Sequence, residues 1–251
     1  MKKIVLFDLD GTIVEYGNKL DDEMINLILE VKKNGYEIGL VSERKLDGIM
    51  SLLRNFIFNH IFSECGSVYH TYNGYTFKEI YRKNIKKHPE FINYNKLIKE
   101  ALLYLSKVDY LLNGHLIDIR NGLIYVSLIG MQATNEERNN FIILDYNKNF
   151  SKVMLEFLIN KSVELGIDEN VYIGMGGKSG IVIYPRELNK SQIIEYLDNF
   201  EEIIYFGNSY NEGENDYEII NHPRINGVKV DKVNDTKKIL QNFINLDSLS
   251  K

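Results

Sequence analysis

The apolar run Ile4-Val5-Leu6-Phe7 stops at Asp8-Leu9-Asp10-Gly11-Thr12, and that junction constrains the fold more than any other stretch of the 251 residues. Four consecutive apolar residues with β-branched members suit a strand covered on both faces, as in a parallel sheet. Beyond the turn at Gly11, residues 20–31 place Met24, Leu27, Ile28 and Val31 at helical spacing. Gly35 stops that helix, and Ile38-Gly39-Leu40-Val41 reads as a second buried strand. A helix over 46–56 and a strand over 60–62 follow. The chain therefore opens β-α-β-α-β, the pattern of a doubly wound α/β sheet.

The middle of the chain changes character. Residues 94–108 and 150–165 read as long helices, with a shorter one at 136–144. Segments 116–120 and 123–129 flank Asn121-Gly122, a strong hairpin signal, and a second hairpin pairs 171–175 with 181–184 around Gly176-Gly177. Hairpins combined with helices predict an antiparallel α+β module. From about residue 189 the first pattern returns, with a helix at 191–199, a strand at 203–206, a helix after Asn215, a strand near 228–230 and a helix at 236–243. The expectation is a parallel-sheet core of residues 1–84 and 188–251, interrupted by an inserted domain of 85–187.

Composition narrows function by exclusion. Thirty Lys+Arg against 35 Asp+Glu leave a net charge of −5 with no basic tract, so nucleic acid is not an expected partner. No apolar run approaches the roughly 20 residues of a membrane helix. The apolar stretch after Lys2-Lys3 ends at Asp8, too early for a signal peptide. Cys65 is the single cysteine and cannot form an internal disulfide. These readings predict a cytosolic globular protein that contacts no membrane.

Four polar clusters follow or flank the core strands: Asp8 to Thr12, Ser42-Glu43-Arg44, Lys190, and residues 208–216. In an open parallel sheet ligands bind at the carboxyl ends of strands, so these clusters can converge. Carboxylates at i and i+2 leave a strand on the same side. Asp8 is ionised at neutral pH and needs no base to attack phosphorus; repulsion from an anionic phosphate is its difficulty, and Mg²⁺ and a lysine screen it. Asp10 can then protonate the leaving oxygen or deprotonate the incoming hydroxyl. The alternative, that the aspartates cap the following helix, needs one acid and not two on one face.

The string Phe7-Asp8-Leu9-Asp10-Gly11-Thr12 resembles the nucleophile loop of the haloacid dehalogenase superfamily, and Ser42, Lys190 and residues 207–216 resemble its other three motifs in order. Closer still is a resemblance to the eukaryotic-type phosphomannomutase family. It is carried by Ser63-Glu64-Cys65-Gly66, Ile119-Arg120-Asn121-Gly122-Leu123, Val126-Ser127-Leu128-Ile129-Gly130, Glu136-Glu137-Arg138, Tyr205-Phe206-Gly207, Gly213, Asn215-Asp216 and Glu218-Ile219. The resemblance implies a Rossmann-like core with a four-stranded antiparallel α+β cap, dimerising through the cap. It implies a mutase that moves phosphate between O6 and O1 of mannose through a phospho-aspartate and a hexose 1,6-bisphosphate, which also serves as activator. Asp8 would be the nucleophile, Asp10 the acid/base, and Lys190 and Ser42 their catalytic partners. Arg120 and Arg138 would hold the distal phosphate, and Mg²⁺ would sit among Asp8, the Asp10 carbonyl, Asn208 and Asp216.

Departures from the family pattern point to a changed pocket. Gly207-Asn208 stands where the metal loop has Gly-Asp, removing one negative charge. His222 replaces an Asp of a second cation site, Met131 and Gly17 replace arginines, and Gly180 and Val182 replace a Ser and an Asp that contact the sugar. Lys178 is a candidate to face that altered pocket. Two other functions remain open on these residues: a Mg²⁺-dependent sugar-phosphate phosphatase, and a non-catalytic sugar-phosphate binder. Gly174-Met175-Gly176-Gly177-Lys178-Ser179 resembles a phosphate-binding loop, but strand residues follow it and a hairpin turn is expected. The five histidines lack zinc-ligand spacing, and Cys65 is expected as a packed small residue.

Overall fold

The computed structural model describes residues 2–249. The chain forms two compact units, Met1–Arg82 with Asn189–Lys251, and Lys83–Leu188. In the first unit, β1 (Lys3–Asp8) leads through a tight loop to α1 (Asp22–Lys33), β2 (Tyr36–Val41), α2 (Leu46–Leu52) and β3 (His60–Ser63). Strands β4 (Val68–Tyr72) and β5 (Phe77–Arg82) follow. The second unit holds α3 (Phe91–Leu105), β6 (Ile117–Ile119), β7 (Ile124–Ser127), α4 (Asn135–Lys148), α5 (Phe150–Glu164), β8 (Val171–Met175) and β9 (Gly180–Pro185). The chain then returns to the first unit with β10 (Glu202–Gly207), α6 (Tyr217–Ile220), β11 (Asn226–Lys229) and α7 (Val233–Leu249).

The large sheet has the order β11-β10-β1-β2-β3-β4-β5. Strands β11 through β3 are parallel, whereas β4 and β5 run antiparallel. The purely parallel sheet expected from sequence thus gains an antiparallel edge. Residues 68–82 carried no helix or strand expectation because the exposed, polar alternation of β5 is not a buried-strand pattern. Strand β1 sits centrally because both its faces are apolar. Val5 and Phe7 join one hydrophobic cluster with Met24, Ile28 and Val31 of α1, while Ile4 and Leu6 join another with Ile203 and Tyr205. Asp21, not Asp8 or Asp10, caps α1, accepting from the Met24 N–H at 2.8 Å. The aspartates after β1 are therefore free for other work.

In the second unit the sheet order is β6-β7-β9-β8, all antiparallel. Ile124, Val126, Ile181 and Ile183 turn one face of it onto Tyr94, Leu97, Ala101, Met154 and Leu158 of α3 and α5. Residues 174–175 close β8 and 176–179 form the β8–β9 turn, with the Gly176 N–H donating to the Gly180 carbonyl at 2.8 Å. That is the hairpin expected there. The helix expected at 191–199 is instead a short 3-10 helix, Lys190–Tyr196, whose capping Asn189 accepts from the Ser191 N–H at 2.7 Å.

Candidate active site

Four loops of the first unit meet at the carboxyl ends of β1, β2 and β10. After Asp8 the chain turns back on itself, the N–H groups of Ile13 and Val14 both donating to the Leu9 carbonyl and the Gly11 N–H to the Val14 carbonyl. Gly11 is required here. Its φ of +85° is left-handed, and a Cβ would stand 2.3 Å from Asn208 Nδ2. The loop after β1 and the loop after β10 thus touch backbone to side chain.

Lys190 is the hub. Its ammonium, 1% exposed, lies 2.7 Å from Asp8 Oδ1 and 2.7 Å from Asp216 Oδ1. Asp216 is fully buried and held on every side, its Oδ1 also accepting from the Tyr205 hydroxyl at 2.6 Å and its Oδ2 from the Ser209 N–H at 3.0 Å. The lysine's own segment is pinned through Gln192, whose Nε2 donates to the Cys65 carbonyl at 2.8 Å. Gly66, at φ +90°, lets that turn approach Ile193, since a Cβ would lie 2.4 Å from its Cγ2. The same turn hangs from the second loop: the Cys65 N–H donates to the Ser42 carbonyl and the Glu64 N–H to the Arg44 carbonyl. The Glu64-Cys65-Gly66 turn thereby fixes Ser42 and Lys190 relative to one another.

Asp8 is buried, and burial pushes its carboxyl up to about 7 against the pull of Lys190, with nearby Asp216 and Asp10 adding to the rise. Burial works against a charged Lys190, yet Asp216 and Asp8 outweigh it and hold the ammonium well above its ordinary value. The Thr12 hydroxyl lies 3.1 Å from Asp8 Oδ2 and 3.3 Å from Asn208 Oδ1, so a single donor faces both acceptors. The Asn208 amide oxygen and Asp8 thus share the Thr12 hydroxyl.

Two residues at the site carried no sequence-based role. Arg44 clasps Asp10 with both arms of its guanidinium, Nε to Oδ2 at 2.6 Å and Nη2 to Oδ1 at 2.8 Å. Tyr16 hydrogen-bonds Asn208, and burial together with Asp8 and Asp10 raises its phenol. The loop Asp8 to Thr12 signalled neither: Arg44 lay in a noted polar cluster, but nothing local says that its side chain reaches Asp10.

Ser42 is buried, and its Oγ accepts from the Arg44 N–H at 3.2 Å. The cap residues sit in the second unit. Arg120 pairs with Asp118 at 2.8 Å and stacks on the Tyr125 ring at 4.8 Å, and Arg138 donates to the Met131 carbonyl at 2.8 Å. Lys178 is exposed on the β8–β9 turn. At Gly180 a Cβ would stand 2.3 Å from the Tyr125 hydroxyl, so the tyrosine occupies the space a side chain there would need.

The donor set fits Mg²⁺, a hard cation that takes oxygen ligands. Asp8, Asp10 and Asp216 meet only two cations, Lys190 and Arg44, and a further cation beside Asp8 would favour the ionised carboxyl that burial opposes. Asn215 Oδ1 is buried with no hydrogen-bond partner, an acceptor awaiting a positive group, while its Nδ2 donates to Glu43 at 2.8 Å. Asp216, expected as a direct ligand, is engaged through both oxygens by Lys190, Tyr205 and Ser209. Among the described residues no three Asp, Glu, His or Cys side chains gather around a point that would hold a metal. A cation here must therefore rely on amide or backbone oxygens as well as Asp8.

That dependence makes Asn208 testable. Asn208→Asp is expected to tighten Mg²⁺ about tenfold. Without metal it is expected to lower Tm, because a further carboxylate would face Asp8. Calorimetric Mg²⁺ titration and thermal melts in chelator check both, and unchanged Mg²⁺ affinity would remove Asn208 from the metal site.

Comparison with known proteins adds the wider frame. A family described as "Eukaryotic phosphomannomutase" matches residues 24–246. The chain is 32% identical over 237 residues to a phosphomannomutase of Arabidopsis thaliana, covering 93% of each sequence. Among solved structures, a trehalose-6-phosphate phosphatase related protein aligns over 99% of this chain and 100% of its own, with TM-score 0.58 and 15% identity. A haloacid dehalogenase-like hydrolase of Bacteroides thetaiotaomicron aligns over 97% and 100%, with TM-score 0.56 and 14% identity. At those identities the solved structures speak to fold alone.

Proposed function

The chain belongs to the eukaryotic phosphomannomutase family, and from that premise we propose that it interconverts mannose 6-phosphate and mannose 1-phosphate. The observation that carries this reading is the buried Asp8–Lys190–Asp216 cluster at the end of β1, with Asp10 two residues beyond it. Asp8 attacks the phosphorus of the bisphosphate, and the departing sugar oxygen takes a proton from Asp10. The phosphoryl group on Asp8 passes to the free hydroxyl of an incoming hexose monophosphate, which gives its proton to Asp10; the bisphosphate so formed turns over, Asp8 takes its other phosphate, and the isomeric monophosphate leaves. Lys190 neutralises the nucleophile and the phosphoryl oxygens it acquires. Asp216 and Tyr205 keep that ammonium in place. We assign Mg²⁺ to Asp8, the Asp10 carbonyl, Asn208 and the Asp216 loop; it would supply charge neutralisation on the transferring phosphoryl group. Ser42 steadies the Arg44 backbone beside Asp10.

Residues 83–188 are assigned as the substrate-binding cap, in which Arg120 and Arg138 hold the distal phosphate and Lys178 faces the sugar. Hexose 1,6-bisphosphate is the proposed activator. A homodimer through the cap accords with the exposed Ile143 and Tyr146 of α4. A cytoplasmic location is part of the proposal; among the described residues no helix is long and apolar enough to cross a membrane.

Phosphorus NMR tests the reading directly. With Mg²⁺, mannose 1-phosphate and a trace of hexose 1,6-bisphosphate, the expected result is growth of a 6-phosphate signal. Inorganic phosphate growing in its place would establish a sugar-phosphate phosphatase. An unchanged spectrum would rule out both and leave a binding protein.

A further inference from the structure

The Arg44–Asp10 contact sits awkwardly with the chemistry just described. Both oxygens of Asp10 are taken by one guanidinium, at 2.6 and 2.8 Å. Each oxygen keeps one lone pair, but a carboxylate clasped by a guanidinium is a poorer proton acceptor than a free one. Withdrawal of Arg44 would make Asp10 the stronger base.

Arg44 is built to move at its tip and not at its root. Its N–H donates to Ser42 Oγ at 3.2 Å and its carbonyl accepts from the Glu64 N–H at 3.0 Å, so the backbone is fixed at both ends. The side chain is 41% exposed, against 20% for Asp10 and 1% for Lys190. The guanidinium already lies beside a residue two positions from the nucleophile. A phosphate bound at Asp8 would arrive in the same loop as Asp10, the residue that Arg44 holds. A planar fork of donors binds phosphate in the same two-pronged manner as carboxylate, and a phosphate dianion carries twice the charge.

Resting on the phosphoryl-transfer reading above, we propose that Arg44 is a phosphate-binding residue of this site. Asp10 holds its guanidinium until a substrate phosphate takes it, and the exchange frees Asp10 for proton transfer. Arrival of the phosphate and readiness of the acid/base group are thus one event. In the absence of a phosphate the ion pair keeps Asp10 occupied.

The competing account is that Arg44 serves only to neutralise and orient Asp10. Removing Asp10 separates the two. Inorganic phosphate with Mg²⁺ is titrated, by phosphorus NMR, into four full-length chains: the parent, Arg44→Ala, Asp10→Ala and the double variant. With Asp10 absent there is nothing for Arg44 to orient. Under the proposal the double variant still binds phosphate more weakly than Asp10→Ala, by about tenfold to a hundredfold for a lost charge-assisted contact. A difference smaller than about fivefold overturns it, as does failure of the parent chain to bind phosphate. Asp10→Asn replaces Asp10→Ala should the alanine variant not fold. Because binding is scored without turnover, a parent chain that lacks mutase activity overturns the functional reading and leaves this result standing.

Discussion

Lys190→Ala is expected to lower the stability of the fold by about 3–5 kcal/mol, the usual consequence of removing one partner from a buried ionic cluster. The ammonium lies between two carboxylates that are themselves buried, Asp8 at 6% exposure and Asp216 at 0%. Its removal leaves both facing each other with no cation between them. Lys190→Met keeps most of the apolar stem and separates the charge effect from the cavity. The loss also has a pH signature. Without the pull of the lysine, the Asp8 carboxyl, already raised by burial and by Asp216, is driven further above its unfolded value, so the folded state takes up a proton more readily than the unfolded chain. Stability of the variant in metal-free buffer therefore rises as pH falls, and its deficit against the parent is larger at pH 8 than at pH 5. Urea unfolding at the two pH values checks this. A deficit under about 1 kcal/mol at pH 8 would mean that the cluster is wetter than its burial indicates.

The parts of this architecture legible in sequence are those written in local patterns. Strand β1 shows as an apolar run because it is buried on both faces, and α1 shows as Met24, Leu27, Ile28 and Val31 because it is buried on one. The Asn121-Gly122 and Gly176-Gly177 turns show because hairpins demand such residues. Less legible were elements whose stability comes from elsewhere. The hairpin of β4 and β5 hides its sheet membership behind an exposed β5, and the 3-10 helix after Asn189 looks like an α-helix because its buried residues, Ile193 and Ile194, suit either. At the site, Asp8, Asp10 and Lys190 announce themselves by motif, but the arrangement does not. Three things depend on side chains from distant loops: that Asp216 turns to Lys190, that Arg44 takes Asp10, and that Tyr16 reaches Asn208. Spacing along a chain carries no record of them.

Asp8→Asn should abolish phosphoryl transfer, with turnover falling by about 10⁴-fold or more, as when other enzymes lose a nucleophile. The reason lies in what the neighbouring aspartate is doing. Asp10 stands two residues away and is itself a carboxylate, so in principle it could attack phosphorus in place of Asp8. Its two oxygens, however, are directed at Arg44, while Asp8 is the carboxylate that meets Lys190 and Thr12. The roles can be split with a substrate whose leaving group needs no proton. With 4-nitrophenyl phosphate and Mg²⁺, Asp10→Asn should still release a burst of nitrophenolate as Asp8 is phosphorylated, although transfer between sugar hydroxyls is lost. Asp8→Asn should release none, since the amide is no nucleophile. A burst that survives in Asp8→Asn and vanishes in Asp10→Asn would exchange the two assignments. The split is sharp because the geometry gives each carboxylate a different partner: a buried ammonium for Asp8 and a half-exposed guanidinium for Asp10.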